Sequence, residues 1–159
     1  MTNIKYLIMD VDGTLTDGKI YMSATGEMIK AFNIKDGYGI HDLLIPSGVI
    51  PVIITGRESA ILEKRCKELG VNMVFQNISN KLALLKSVAI FNNLENVAYI
   101  GDDDNDLPCM MEIKKAGGII GCPGDASKKI KKVVNFVSSM DGGAGAVRDF
   151  IEWILEKNK

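Results

Sequence analysis

The sequence predicts an α/β fold built on a central parallel sheet with helices covering both faces. Three observations carry that prediction. Short uninterrupted apolar runs recur at Tyr6-Leu-Ile-Met9, Val49-Ile-Pro-Val-Ile-Ile54 and Val97-Ala-Tyr-Ile100, segments of helical spacing separate them, and each run ends in a polar cluster. Unbroken apolar runs suit strands buried on both faces, and strands alternating with helices are the mark of a parallel sheet. At 159 residues, 47% hydrophobic and 25% charged, the chain is expected to form one domain over 1–159 with a substantial core.

Taken in order, Tyr6 opens the first strand, which runs into Asp10-Val-Asp12-Gly-Thr14. Lys19–Met22 and Met28–Phe32 flank Ser23-Ala-Thr-Gly-Glu27, and Gly26 in that short polar link predicts a β-hairpin. A helix is expected from Asp36, read as its N-cap, to a stop at Pro46-Ser-Gly48, with Gly37 and Gly39 weakening it. After the strand ending at Ile54 come Thr55-Gly56-Arg57 and a helix over 58–69, with Ile61, Leu62, Cys66 and Leu69 on one face and Gly70 as stop. Asn72–Phe75 is a short strand, and 80–91 is helical with Lys81 in its first turn. The strand at 97–100 leads into Gly101-Asp-Asp-Asp-Asn-Asp106, and Leu107–Lys115 is a helix that tolerates Pro108 in its first turn. A strand at 118–122, a short basic helix at 125–132, a further strand at 133–137 and an amphipathic helix at 144–156 complete the chain.

Composition excludes several classes. Net charge is −1 without a long charged block, which argues against nucleic acid as the main partner. No apolar run approaches a membrane span, and the N-terminal residues lead straight into a core strand, so neither a membrane partner nor a secretory signal is expected. The three cysteines are Cys66, Cys109 and Cys122. They are widely spaced and lack a C-x-x-C pattern, as reduced thiols of a cytoplasmic protein would be. His41, Met110, Met111 and Trp153 are read as core or interface packing, and Lys128, Lys129, Lys131 and Lys132 as a solvated face.

The chemistry concentrates at strand ends, where parallel sheets carry their working loops. Residues two apart on a continuing strand point the same way, so Asp10 and Asp12 would converge. Two like charges there need a cation, and the following Gly13 leaves room for an anion, which together point to a magnesium site. Thr55, Lys81 and Asp102 with its acidic neighbours fall on the same predicted rim.

Asp10-x-Asp12-Gly-Thr14, Thr55-Gly56, Lys81 and Gly101-Asp102-Asp103-x-x-Asp106 resemble, in order and spacing, the four motifs of the haloacid dehalogenase superfamily. The resemblance implies a Rossmannoid three-layer sandwich and magnesium-dependent phosphoryl transfer through an aspartyl-phosphate. In those terms Asp10 is the nucleophile and Asp12 the acid–base. Thr55 and Lys81 contact the phosphoryl oxygens. Magnesium sits between Asp10, the backbone carbonyl of Asp12 and Asp102, while Asp103 and Asp106 orient waters or Lys81. The segments between motifs leave no room for a cap domain, only the hairpin flap.

Further matches at Asp12–Gly18, Phe32–Gly37, Thr55–Arg57, Arg65-Cys66, Asn80-Lys81, Ala98–Asp103 and Gly142–Arg148 make the chain similar to the capless 3-deoxy-D-manno-octulosonate 8-phosphate phosphatases. That family implies a homotetramer whose hairpins pack together and whose C-terminal segments reach a neighbouring site. It also implies a phosphorylated keto-sugar acid as substrate. Arg57 would fork onto the substrate carboxylate, supported by Arg65 two helical turns on, with Thr14 and Gly56 as further contacts. Arg57 leans the reading to the eight-carbon acid, because relatives acting on nine-carbon 9-phosphates (KDN or N-acetylneuraminate) carry Glu there. Ala144 departs from the Arg, His or Asn of octulosonate phosphatases and removes one contact from the neighbour. Two other classes compete. A signalling receiver also groups aspartates, a threonine and a lysine, but it places its acidic pair on the first strand and its phosphorylated aspartate on the third. A weakly active assembly module linked to an acylneuraminate cytidylyltransferase would not need Asp10, Asp12, Lys81 and Asp102 intact.

Overall fold

The structure, a computed structural model, describes residues 3–159. Six parallel strands form the sheet: β1 (Tyr6–Met9), β4 (Ile50–Ile54), β5 (Met73–Phe75), β6 (Val97–Ile100), β7 (Ile119–Cys122) and β8 (Phe136–Val137), in the order β5-β4-β1-β6-β7-β8. The antiparallel pair β2 (Tyr21–Ser23) and β3 (Gly26–Ile29) makes the hairpin. The helices are α1 (Ile34–Tyr38), α2 (Ala60–Leu69), α3 (Lys81–Ser87), α4 (Leu107–Lys115), α5 (Lys128–Val133) and α6 (Ala146–Lys157).

Strand alternation builds the three layers. Leu7 and Met9 of β1, with Ile53, Ala98 and Ile100, point to the face covered by Ile40, Leu44, Leu62, Cys66, Val147, Phe150 and Ile154. Ile8, Val52, Ile54, Tyr99 and Ile120 point to the other, under Leu85, Cys109, Met110, Ile113 and Ile130. The chain steps outward from β1 through β4 and β5, then resumes at β6 on the opposite side of β1. The carboxyl ends of β1 and β6 therefore flank the point where the winding reverses, which is where open α/β sheets bind ligands. Between β1 and α1 the described chain holds only the hairpin, so no cap domain is present among the described residues.

Caps explain several boundaries. Ser59 accepts from the Leu62 N–H and starts α2, and Gly70, at φ +76°, ends it. Asn80 does the same for α3 through the Ala83 N–H. The expected cap at Asp36 is corrected: Asn33 caps α1, and Asp36 lies buried inside it. Its Oδ1 accepts from the Arg148 N–H at 2.9 Å, so it caps α6 instead. Beyond Tyr38 the helix widens to a π-helix over Gly39–Leu44 before a 3₁₀ turn to Ser47. Gly37 and Gly39 lie where Arg65 and Arg148 close on this segment, so the residues that weaken the helix also permit its packing. His41 is not a core residue; it is exposed beside Asp42. Trp153 packs on Phe136 and Phe150. Cys66, Cys109 and Cys122 are buried free thiols. No described helix is long and apolar enough to cross a membrane.

Candidate active site

Parallel register brings the predicted clusters to one level. Met9 pairs with Ile53 on β4 and with Ile100 on β6, so Asp10, Thr55 and Asp102 leave three adjacent strands within two residues of one another. Lys81, the first residue of α3, reaches in from the side. Its Nζ lies 2.9 Å from Asp10 Oδ1 and 2.8 Å from Asp106 Oδ1. Asp106 is wholly buried and spends its oxygens on structure: Oδ1 also accepts from the Tyr99 hydroxyl at 2.6 Å, and Oδ2 from the N–H groups of Asp102 and Asp103 at 3.1 and 3.4 Å.

Asp102 is half-buried, and its Oδ1 accepts from the Thr14 hydroxyl at 2.9 Å. Gly13 passes so close that a Cβ there would collide with the Asp102 carboxylate, and its φ of +88° also favours glycine. The charges are crowded. Burial, then Asp106, push Asp10 well above the usual carboxylate range, against the pull of Lys81. The same two causes raise Asp102 to about 6. Burial alone would lower the Lys81 ammonium, but Asp10 and Asp106 outweigh it and hold it above its ordinary value. Carboxylate oxygens of Asp10, Asp102 and Asp106 lie within 4.8 Å of one another. With Asp106 committed to Lys81, Tyr99 and the backbone, Asp10 and Asp102 are the pair left to hold a cation. An all-oxygen set with excess negative charge fits a hard divalent ion such as magnesium.

Asp12 stands on the open side. Its Oδ1 accepts from Lys30 Nζ at 2.7 Å, and Oδ2 lies 3.9 Å from Arg57 Nε. Arg57 also approaches Glu27 at 4.0 Å, and its side chain is 40% exposed at the rim. Thr55 is buried at the end of β4 and Thr14 is buried below Asp102, while Gly56 is exposed beside Arg57.

The structure does not bring every predicted residue here. Arg65 contacts Glu68 at 3.5 Å and the Phe32 ring at 6.0 Å, on the side facing α1. The spacing argument fails because Arg57 precedes the Ser59 cap and lies off the helix that carries Arg65. Asp103 is exposed, with Oδ1 on the Asp104 N–H, rather than turned to Lys81. Asp104 pairs with Lys129 at 2.6 Å. Gly142, where a Cβ would strike the Gly13 carbonyl, and Gly143, whose N–H donates to Thr14 O at 3.2 Å, seat the glycine segment on the 13–17 loop of their own chain. Ala144 beside them is exposed. Sequence reasoning missed Lys30, Glu27 and Tyr99. A tyrosine in an apolar strand beside an acidic loop was the available signal for Tyr99; Lys30 and Glu27 gave none.

A capless Rossmann-like sheet that gathers Asp10, Lys81 and Asp102 at its carboxyl edge has the architecture of a haloacid dehalogenase-type phosphatase. No family model matches the chain. Over an alignment of 157 positions that covers 96% of this chain and 80% of the relative, it is 43% identical to the 3-deoxy-D-manno-octulosonate 8-phosphate phosphatase KdsC of Escherichia coli strain K12. Among solved structures, the cobalt-bound deoxy-D-mannose-octulosonate 8-phosphate phosphatase (YrbI) of Haemophilus influenzae matches with a TM-score of 0.90 at 36% identity, covering 99% of this chain and 90% of that one. The Moraxella catarrhalis enzyme, in complex with magnesium ion, phosphate ion and a KDO molecule, matches with a TM-score of 0.88 at 37% identity, covering 98% and 87%. The chain belongs to the KdsC family of 3-deoxy-D-manno-octulosonate 8-phosphate phosphatases.

Proposed function

We propose that this chain is a magnesium-dependent phosphatase that hydrolyses 3-deoxy-D-manno-octulosonate 8-phosphate through an aspartyl-phosphate on Asp10. The observation that carries the reading is the buried Asp10 carboxylate, oriented by Lys81 within reach of Asp102, in a chain whose relatives carry that activity in their names. Magnesium, held by Asp10, the backbone carbonyl of Asp12 and Asp102, would supply charge neutralisation at the phosphoryl oxygens. The free Asp10 oxygen attacks phosphorus in line, the bond from phosphorus to the sugar oxygen breaks, and the departing alkoxide takes a proton from Asp12. Asp12 then removes a proton from the water that attacks the acyl-phosphate, which frees inorganic phosphate and restores the Asp10 carboxylate. Lys81 and the Thr55 hydroxyl stabilise charge on the transferring group. Asp106 acts on Lys81 rather than on substrate.

Arg57, exposed at the rim near Asp12, is the group for the substrate carboxylate, with the exposed Gly56 beside it, while Thr14, buried with its hydroxyl on Asp102, steadies that carboxylate rather than touching substrate. Arg65 would have to act from elsewhere, at a neighbouring subunit's site. We further assign one domain over 1–159, a homotetramer and a cytoplasmic location. The nine-carbon and cytidylyltransferase-linked alternatives are not favoured, because the relatives act on the eight-carbon phosphate by name. A phosphate-release panel comparing 8-phosphate and 9-phosphate keto-sugar acids tests the reading. The 8-phosphate is expected to turn over fastest, only with magnesium, and not at all in Asp10→Asn; robust turnover by that variant refutes the mechanism.

A further inference from the structure

The hairpin brings a buried cation to the site that no assigned role uses. The Lys30 side chain, one residue beyond β3, is only 4% exposed, and its Nζ lies 2.7 Å from Asp12 Oδ1 and 2.9 Å from Glu27 Oε1. Glu27 is tied in turn to the Ser59 hydroxyl at 2.6 Å through Oε2. Ser59 is the N-cap of α2 and accepts from the Leu62 N–H. A continuous path of charged and polar contacts therefore runs from the start of α2 through the hairpin to Asp12. Lys30 and Arg57 balance the charges of Asp12 and Glu27, so the group is neutral as a whole. Asp12 sits past the end of β1 on a loop, where its side chain has rotamer freedom unless something holds it.

We propose that Lys30, anchored by Glu27 and Ser59, is the positioning residue that holds the Asp12 carboxyl in line with the leaving oxygen, so that a docked hairpin is required for proton delivery. The inference rests on the reading of Asp12 as proton donor. Lys30 does not take the phosphate-binding role, because its ammonium stands at Asp12 and Glu27, whereas Lys81 is the lysine that stands at Asp10. A misplaced donor matters only when the leaving group needs a proton. An alkyl alcohol does, and p-nitrophenolate does not.

The test compares kcat and KM on the sugar-acid 8-phosphate and on p-nitrophenyl phosphate for the full-length wild type, Asp12→Asn, Lys30→Met, Lys30→Arg and Glu27→Gln, with melting curves for each. Lys30→Met is expected to lose about 10²-fold in kcat on the alkyl ester but less than about fivefold on the aryl ester, the pattern of a lost general acid. Lys30→Arg should recover part of the loss, and Glu27→Gln should show a smaller loss of the same kind. An equal loss on both esters, a change confined to KM, or no loss overturns the proposal. If Asp12→Asn discriminates between the esters while Lys30→Met does not, the positioning role alone fails. If Asp12→Asn does not discriminate, the reading of Asp12 fails and takes the inference with it. Should Lys30→Met not fold, the same ester comparison in Lys30→Arg and Glu27→Gln decides.

Discussion

Asp36→Asn is expected to stabilise the protein at neutral pH and to change it little at pH 4. Asp36 is buried in α1, where Oδ1 accepts from the Arg148 N–H and the carboxyl faces the N–H groups of Gly145 and Val147 at the start of α6. Oδ2 is buried and finds no hydrogen-bond partner among the described residues. Burial outweighs the N–H contacts and raises the carboxyl from 3.8 to about 6. Between those values the folded chain keeps a proton that the unfolded chain has released. The contribution is therefore fully present below the unfolded value and is lost as pH rises through the folded one. At about 1.4 kcal/mol per pH unit, the gap amounts to about 3 kcal/mol. Asn keeps an acceptor for α6 without the charge, so the variant should gain up to that amount at pH 8. Urea unfolding of both chains from pH 4 to pH 8 reads the difference directly, and contributions from Asp10 and Asp102 cancel because both chains share them. A difference that does not change with pH, or a variant less stable than wild type at pH 8, would refute the reasoning. Asp36→Ala should fall below Asp36→Asn by about 1 kcal/mol, the usual cost of losing a cap.

Lys81→Met leaves Asp10 and Asp106 buried without their shared cation. It should cost about 3–5 kcal/mol in urea unfolding, and phosphate release should drop by about 10³-fold. Gly142→Ala drives a Cβ against the Gly13 carbonyl and through it the loop that carries Asp12 and Thr14. It should lower kcat/KM by about tenfold or more, because small displacements of reacting groups are costly, with a fall in Tm read from the same preparation.

The parts of this fold that were legible in the sequence share one property: their signals are local. The strands at 6–9, 50–54 and 97–100 read correctly because a strand buried on both faces leaves an unbroken apolar run. The Asp10, Lys81 and Asp102 cluster followed, since a parallel sheet delivers its strand ends to one edge. The errors arose where a buried polar group chooses its partner through tertiary packing. Asp36 looked like the cap of the helix it lies in, yet it caps one that begins 110 positions later. Arg65 was placed beside Arg57 by helical spacing, which the Ser59 cap interrupts.

Lys30 is the instructive case, because the hairpin inverts the ordinary rule. Met28 and Ile29 are 61% and 55% exposed, while the adjacent lysine is buried. Local hydropathy assigns those residues the opposite way round. In an isolated chain the arrangement leaves Tyr21, Met22, Met28 and Ile29 in water for no return. It makes sense if hairpins of neighbouring subunits pack on one another, as in the proposed tetramer. Burying the apolar outer face would then hold Lys30 and Glu27 at Asp12, so assembly and proton delivery would depend on the same hairpin that an uninformed reading of the strand would have turned inside out.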